Sequence, residues 1–291
     1  MTDSVTLPAH AKANLFLRVL ARETSGYHQI ETLFTLLALH DTVTVERTAG
    51  GIELAVEGAE TGPSEQNLAW RAAAVVLEAT GQKFGVAITL AKRIPVGGGL
   101  GGGSSDGAAA LHAVNRLAGG AVPTHEILQF AARLGSDVPF FASRRPFAMA
   151  WGRGERLFAL TPPPAAPALL VVPPFGVDTA KAYQSLDAGR PDDKWFRGSV
   201  VLEPDALATW GGIGRLGGND FEPAVFGKEP ALRDLFERVA RTGPLLARLS
   251  GSGSSLIAVY RNERERDAAA EEIGSSNATL IPTTTLPGLT A

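Results

Sequence analysis

The sequence predicts a two-domain α+β protein, and three observations carry that expectation. The chain has 291 residues, and at roughly 150 residues per domain that length suggests about two domains. Strand-like and helix-like segments mix without a strict β-α-β alternation, which favours α+β over a doubly wound sheet. Near the midpoint, TPPPAAP at 161–167 is the clearest linker candidate.

The elements follow in order. Residues 5–22 are extended-type sequence, alternating through NLFLRVL, and TSGYH at 24–28 is a turn with Gly26 at its positive-φ position. Alternation in DTVTVE (within 29–47) and in IELAVE at 52–57 predicts strands. NLAWRAAAVVLEAT is helical, stopped by Gly81. Phe84, Val86, Ile88 and Leu90 share one face of a strand that runs into PVGGGLGGGSSDG. Ala108, Leu111, Val114 and Leu117 then keep helical spacing up to Gly119. Thr124 opens a second helix with an Ile127, Phe130, Ala131, Leu134 stripe. Beyond the linker come a strand (LLVVP), a polar region to about residue 200, a glycine cluster at 211–218 expected to be a mobile loop, and a helix at 230–241. The chain ends with strand, Gly/Ser loop and strand in ARLSGSGSSLIAVY, a charged helix in ERERDAAAEEI and a last strand in ATLIPTTTL.

Composition narrows the function. There are 33 glycines, where average usage of about 7% gives roughly 20. The excess is local: six at 97–103, five at 211–218, and Gly251 with Gly253. Local clusters mean backbone at positive φ or close to a ligand. The absence of Cys excludes disulfides, thiolate metal sites and cysteine nucleophiles. The start MTDSVTLPAH has no signal-peptide pattern, and no run approaches the roughly 18 apolar residues of a membrane helix. With 27 basic against 30 acidic residues, nothing attracts nucleic acid globally. The expectation is a cytoplasmic protein with no nucleic-acid or membrane partner.

Three places could carry chemistry. Gly97, Gly99 and Gly102 satisfy G-x-G-x-x-G between a strand and a helix, so a dinucleotide site must be weighed. Against it, six of the seven residues 97–103 are Gly and two hydroxyl residues follow them, and no acid follows strand-like sequence about 20 residues on. A Walker A reading fails because no Lys follows the last Gly. Phosphate binding survives both objections. Bare backbone lets N–H groups reach phosphate oxygens, and the helix start adds about half a positive charge. Ser104 and Ser105 can donate to phosphate or ligate Mg²⁺, and Asp106 is expected to cap the helix or balance its dipole. A flexible surface loop is the plain alternative. Asp137 in LGSDVPFF reads alone as a cap or turn former. Lys12 in AHAKANLFL reads alone as an edge charge snorkelling to water.

Together these segments resemble the GHMP kinase superfamily. Six stretches stand in the family's order: AKANLFLRV (11–19), GYHQIETLF (26–34), PVGGGLGGGSSDGAAAL (95–111), LGSDVPFF (134–141), GVDTAKAY (176–183) and GNDFEP (218–223). Their details are similar to the branch that phosphorylates 4-diphosphocytidyl-2-C-methyl-D-erythritol. Ser25-Gly26 stands where that branch often has Asp-Gly, and His10 where Pro is common.

The resemblance implies a fold: a nucleotide-binding domain like domain 2 of ribosomal protein S5, at 1–155 with a strand at 281–291 returning to it, and a ferredoxin-like substrate domain at 156–280. It implies ATP and Mg²⁺ as cofactors and a monomer or homodimer. Asp137 would be the general base, with Lys12 stabilising charge around the transferring phosphoryl. Pro95, Val96, Gly97, Gly98, Gly99, Leu100, Gly101, Gly102, Gly103, Ser104 and Ser105 would cradle ATP, with Asn67 and Lys92 near its adenine and Ser105 the hydroxyl on Mg²⁺. Asn14, Tyr27, His28 and Tyr183 would hold the acceptor, His28 at the cytosine edge and Tyr183 against its ring. Gly251 and Ser252 would close on the acceptor side. Asn67 also reads as an ordinary N-cap, Tyr27 as turn packing and Tyr183 as core. Homoserine or mevalonate kinase activity is the nearer alternative, and a Rossmann oxidoreductase the distant one.

Overall fold

β1 (Ser4–Arg22) and β2 (His28–Thr48) are two long paired strands joined by the expected turn. Gly26 sits there at φ +85° and donates its N–H to the Glu23 carbonyl. The computed structural model describes residues 3–81, 84–190, 202–275 and 277–289. Residues 191–200 of the expected polar region, and 290–291 of the expected last segment, lie outside them. The chain forms two compact units.

The first unit comprises Met1–Ala11, Leu39–Val96 and Gly101–Arg145. Here Thr42–Thr48 of β2 runs antiparallel to β4 (Gly85–Ala91), and β3 (Ile52–Glu57) runs parallel to β4. Four helices complete it: α1 (Leu68–Thr80), α2 (Gly102–Leu117), α3 (Thr124–Leu134) and α4 (Val138–Ala142). α1 buries Ala69, Ala72, Ala73 and Val76. α2 answers with small residues of its own, and a Cβ at Gly107 would lie 3.0 Å from the Leu68 Cβ. Gly inside a helix costs about 1 kcal/mol against Ala, and here it lets two helices approach closely.

The second unit comprises Lys12–Ala38, Gly97–Leu100 and Pro146–Ala291. The proline-rich stretch at 161–167 lies inside it. β5 (Phe147–Gly152), which the sequence pattern did not separate from its apolar surroundings, runs antiparallel to Ile30–Thr35, and β6 (Arg156–Ala159) pairs with β5. A second sheet is wholly antiparallel, in the order β10-β7-β9-β8: β7 (Pro167–Val172), β8 (Leu246–Leu249), β9 (Leu256–Val259) and β10 (Thr279–Thr284). Beyond β10, Thr285 bridges Leu37. The helices are α5 (Thr179–Ala188), α6 (Pro204–Leu207), α7 (Trp210–Arg215), α8 (Phe221–Lys228), α9 (Pro230–Arg241) and α10 (Glu263–Ile273). Leu232, Leu235 and Val239 of α9 and Ala269 and Ile273 of α10 join Leu169, Val171, Leu256 and Ala258 of the sheet in one core.

The glycine cluster at 211–218 is not a mobile loop. Gly211, Gly212 and Gly214 lie in α7, whose N-cap Thr209 accepts from the Gly212 N–H. A Cβ at Gly212 would stand 2.2 Å from the Ala206 carbonyl oxygen, and one at Gly214 would stand 2.6 Å from that of Leu245. These glycines permit close packing against backbone. Gly212→Ala is therefore expected to lower stability by about 1–3 kcal/mol, since rigid backbone cannot yield to the methyl. A denaturant midpoint measures it, and an unchanged midpoint would mean the α6–α7 turn moves freely.

Candidate active site

The glycine loop is built from positive-φ backbone. Gly97, Gly99 and Gly101 lie at φ +76°, +78° and +73°, and α2 begins at the next residue. Gly101 at the N-cap offers no side chain to the first amides of α2, which leaves the helix start open to an anion. Ser105 is buried on the first turn, with its N–H on the Gly101 carbonyl.

Asp106 does not cap this helix. It lies five residues beyond the N-cap, is 2% exposed, and binds the Lys92 ammonium through Oδ2 at 2.5 Å. Lys92 also donates to Asp41 Oδ2, while Asp41 Oδ1 accepts the N–H groups of Arg93 and Ile94. One ammonium thus serves two buried carboxylates, and Asp106 Oδ1 has no hydrogen-bond partner among the described residues. Burial pushes the Asp106 carboxyl up to about 6; Lys92 opposes the rise and Asp41 adds to it. The two carboxylates hold the Lys92 ammonium above its ordinary range despite burial.

The sign of the pH effect follows. A carboxyl that keeps its proton more tightly when folded contributes stability fully present below about pH 4, and lost as pH rises through about 6. Asp106→Asn mimics the protonated form and leaves Lys92 paired one-to-one with Asp41. Its stability relative to the parent is expected to improve from pH 5 to pH 7, read from denaturant midpoints. A variant that loses stability relative to the parent over that interval would contradict the raised carboxyl.

In the second unit, Lys12 is 4% exposed, which removes the snorkelling reading. Its ammonium donates to Asn14 Oδ1 at 2.7 Å and lies 5.2 Å from the Phe34 ring centroid. Asn14 donates to Thr32 Oγ1, and Thr32 to the Phe16 carbonyl. The Lys12 N–H donates to the Leu100 carbonyl, which ties β1 to the glycine loop.

Two glycine loops also meet in this unit. Ser250 Oγ donates to the Gly99 carbonyl at 2.9 Å, and the Ser255 N–H donates to that of Gly98. Asn219 of GNDFEP holds the later loop, its amide donating to the carbonyls of Leu249 and Gly251. Ser252 shares a hydrogen bond with Thr179. The sequence reading singled out neither Asn219 nor Thr32, because a buried Asn or Thr has no periodic signature.

His28 and Tyr183 stack on each other, centroids 4.4 Å apart and rings 16° from parallel, with the Tyr183 ring edge-on to Phe221. His28 Nε2 is 2.8 Å from Asp187 Oδ1, a partner the sequence reading missed. Tyr27 is 58% exposed, with the Arg153 guanidinium 3.9 Å from its ring centroid. Asn67 is the N-cap of α1, its side chain accepting from the Ala69 N–H. Asp137 stands at the N-cap position of α4 but makes no capping hydrogen bond, so its cap reading does not hold. Lys12 belongs to the second unit and Asp137 to the first.

Comparison with known proteins decides the family. The model of the GHMP kinases N terminal domain matches residues 67–145, and that of the GHMP kinases C terminal matches 205–278. A 4-diphosphocytidyl-2-C-methyl-D-erythritol kinase of Pelotomaculum thermopropionicum is 37% identical over 98% of this chain and 99% of its own. The chain belongs to the 4-diphosphocytidyl-2-C-methyl-D-erythritol kinase family. A crystal structure of a 4-(cytidine 5'-diphospho)-2C-methyl-D-erythritol kinase superposes at TM-score 0.82, with 34% identity, over 97% of this chain and 99% of that one. A homoserine kinase of Cytophaga hutchinsonii superposes at 0.71 over 98% of this chain and 95% of its own, but at 20% identity it shares the fold alone. This family member is an ATP-dependent small-molecule kinase with the expected two-domain α+β fold of the GHMP kinases. Among the described residues, no helix is long and apolar enough to cross a membrane.

Proposed function

We propose that the chain transfers the γ-phosphoryl of ATP to the 2-hydroxyl of 4-diphosphocytidyl-2-C-methyl-D-erythritol, in the non-mevalonate (methylerythritol phosphate) route to isoprenoids. The observation that carries this acceptor is the near-full-length likeness to relatives of that one name, against fold-only likeness to homoserine and mevalonate kinases. The domain reading stays with it: a nucleotide domain of 1–155 with strand 281–291, and a substrate domain of 156–280. The two family models fall on either side of that boundary. A cytoplasmic monomer or homodimer without nucleic-acid partners completes the reading.

Phosphoryl transfer relies on positioning and electrostatics. The run from Pro95 to Gly103 wraps the phosphates, with Ser104 and Ser105 donating. The open helix start behind the loop supports this role. Asp137 takes the proton of the attacking hydroxyl, and Lys12 stabilises negative charge on the transferring group. Asn67 and Lys92 flank the adenine. Asn14, Tyr27, His28 and Tyr183 hold the acceptor, with Gly251 and Ser252 closing on it. Mg²⁺ would bind ATP phosphates with the Ser105 hydroxyl and neutralise their charge. The donor set fits, because this ion keeps water and phosphate ligands and needs few from protein. The described residues hold no cluster of three His, Cys, Asp or Glu that would demand another site.

Competing acceptors in an ATP-consumption assay test the proposal. Turnover of the cytidyl acceptor, with homoserine and mevalonate inert, is the expected result. Turnover of either of those two alone would overturn the acceptor assignment.

A further inference from the structure

We infer that Asp41 is a positioning residue for nucleotide binding, acting through Lys92 on both ends of the glycine loop. Asp41 is fully buried at 0% exposure and makes three contacts that converge on one place. Its Oδ1 accepts the N–H groups of Arg93 and Ile94, where the chain leaves β4 for the loop. Its Oδ2 accepts from the Lys92 ammonium. The same ammonium reaches Asp106 on α2, where the chain returns from the loop. The entry to the loop and the helix behind it are therefore tied through one cation.

The surroundings leave this tie little freedom. Lys92 donates its N–H to the Glu57 carbonyl, and a Cβ at Gly58 would lie 2.8 Å from the Lys92 carbonyl oxygen. A Cβ at Gly102, the first residue of α2, would meet the Ile94 side chain at 3.1 Å and the Lys92 ammonium at 3.4 Å. The backbone of α2 thus sits directly against the residues Asp41 holds. With two carboxylates on it, the Lys92 ammonium is neutralised as a phosphate ligand. The cluster carries an excess negative charge, so its contribution to ATP binding is geometric: it fixes where the loop's N–H groups start and finish.

The inference rests on the reading that the glycine loop holds ATP, and its test separates the two. Calorimetry measures ATP binding to the full chain, and steady-state kinetics measure kcat and both KM values. In Asp41→Asn the side-chain oxygen still accepts the two amides, but an NH₂ now faces the ammonium. Asp106→Asn loosens the tie from the other end, should the first variant fold poorly. Each is expected to weaken ATP binding by about tenfold, the lower range for losing a charge-assisted hydrogen bond. kcat at saturating ATP and the acceptor KM should stay within about twofold.

Direction is the decisive readout. Each variant removes a negative charge, so simple electrostatics predicts tighter ATP binding and geometry predicts weaker. Gly103→Asp is the control on the loop: an added side chain meets nothing there, and its carboxylate opposes phosphate directly. If Gly103→Asp weakens ATP binding while folded Asp41→Asn and Asp106→Asn leave it unchanged or tighter, Asp41 is not a positioning residue. If all three leave it unchanged, the loop does not hold ATP and the inference falls with that reading.

Discussion

Asp137→Asn is expected to lower kcat by at least ~10², the lower end for losing a general base, while the protein stays folded. The amide has the shape of the carboxylate but cannot take the proton of the attacking alcohol. The substitution removes no capping hydrogen bond from α4. The helix start loses its attraction to a carboxylate, about 0.3–1 kcal/mol. Rates at saturating ATP and acceptor, beside a thermal melt, separate the two effects. ATP binding by calorimetry should not change. A folded Asp137→Asn enzyme that turns over like its parent would remove Asp137 from the mechanism.

The periodic parts of this fold were legible because burial writes a period into sequence. The stripe Leu232, Leu235 and Val239 announces α9, and Val43 and Val45 announce the inward face of β2. Breakers were equally plain: Gly26, Gly81 and Gly119 all lie at positive φ where the pattern stops. Glycines with a different purpose were misread. Gly212 and Gly214 look like a loop in sequence, yet they are glycine because neighbouring carbonyl oxygens leave no room for a methyl. A requirement imposed by a distant carbonyl is invisible to any local pattern.

The candidate site was legible in a similar, partial way. The glycine loop shows in sequence because its constraint is local, a run of residues needing positive φ before a helix. Asp41 did not show. Its partners are 51 to 53 positions away, and His40-Asp41-Thr42 resembles any polar strand entry. Asp106 was noticed but misassigned, since an Asp near a helix start is usually a cap. Only its burial and its contact with Lys92 reveal an ion cluster. His28 was read as reaching a cytosine edge and Tyr183 as stacking on its ring, and nothing in the sequence signals that the two stack on each other.

Gly99→Ala should damage both stability and turnover. The residue lies at φ +78°, a conformation that costs an L-side chain about 1–2 kcal/mol. Its Cβ would stand 2.2 Å from the Ser250 carbonyl oxygen and 3.1 Å from that of Gly253. Both obstacles are backbone, so one loop must move away from the other, at about 1–3 kcal/mol for such overpacking. Movement would pull on the Ser250 hydrogen bond to the Gly99 carbonyl and the Ser255 bond to Gly98. The amides of the first glycine loop and the later Gly/Ser loop would then lose their register together. A displacement of about 1 Å at reacting groups costs about 10² in rate, so kcat/KM for ATP is expected to fall by at least that factor, alongside a lower melting temperature. Gly103→Ala supplies the contrast in stability: its backbone is helical, the methyl meets nothing, and Ala is the better helix former. It should melt no lower than the parent. Equal melting temperatures for Gly99→Ala and the parent, with unchanged kcat/KM, would show that the two glycine loops do not constrain each other.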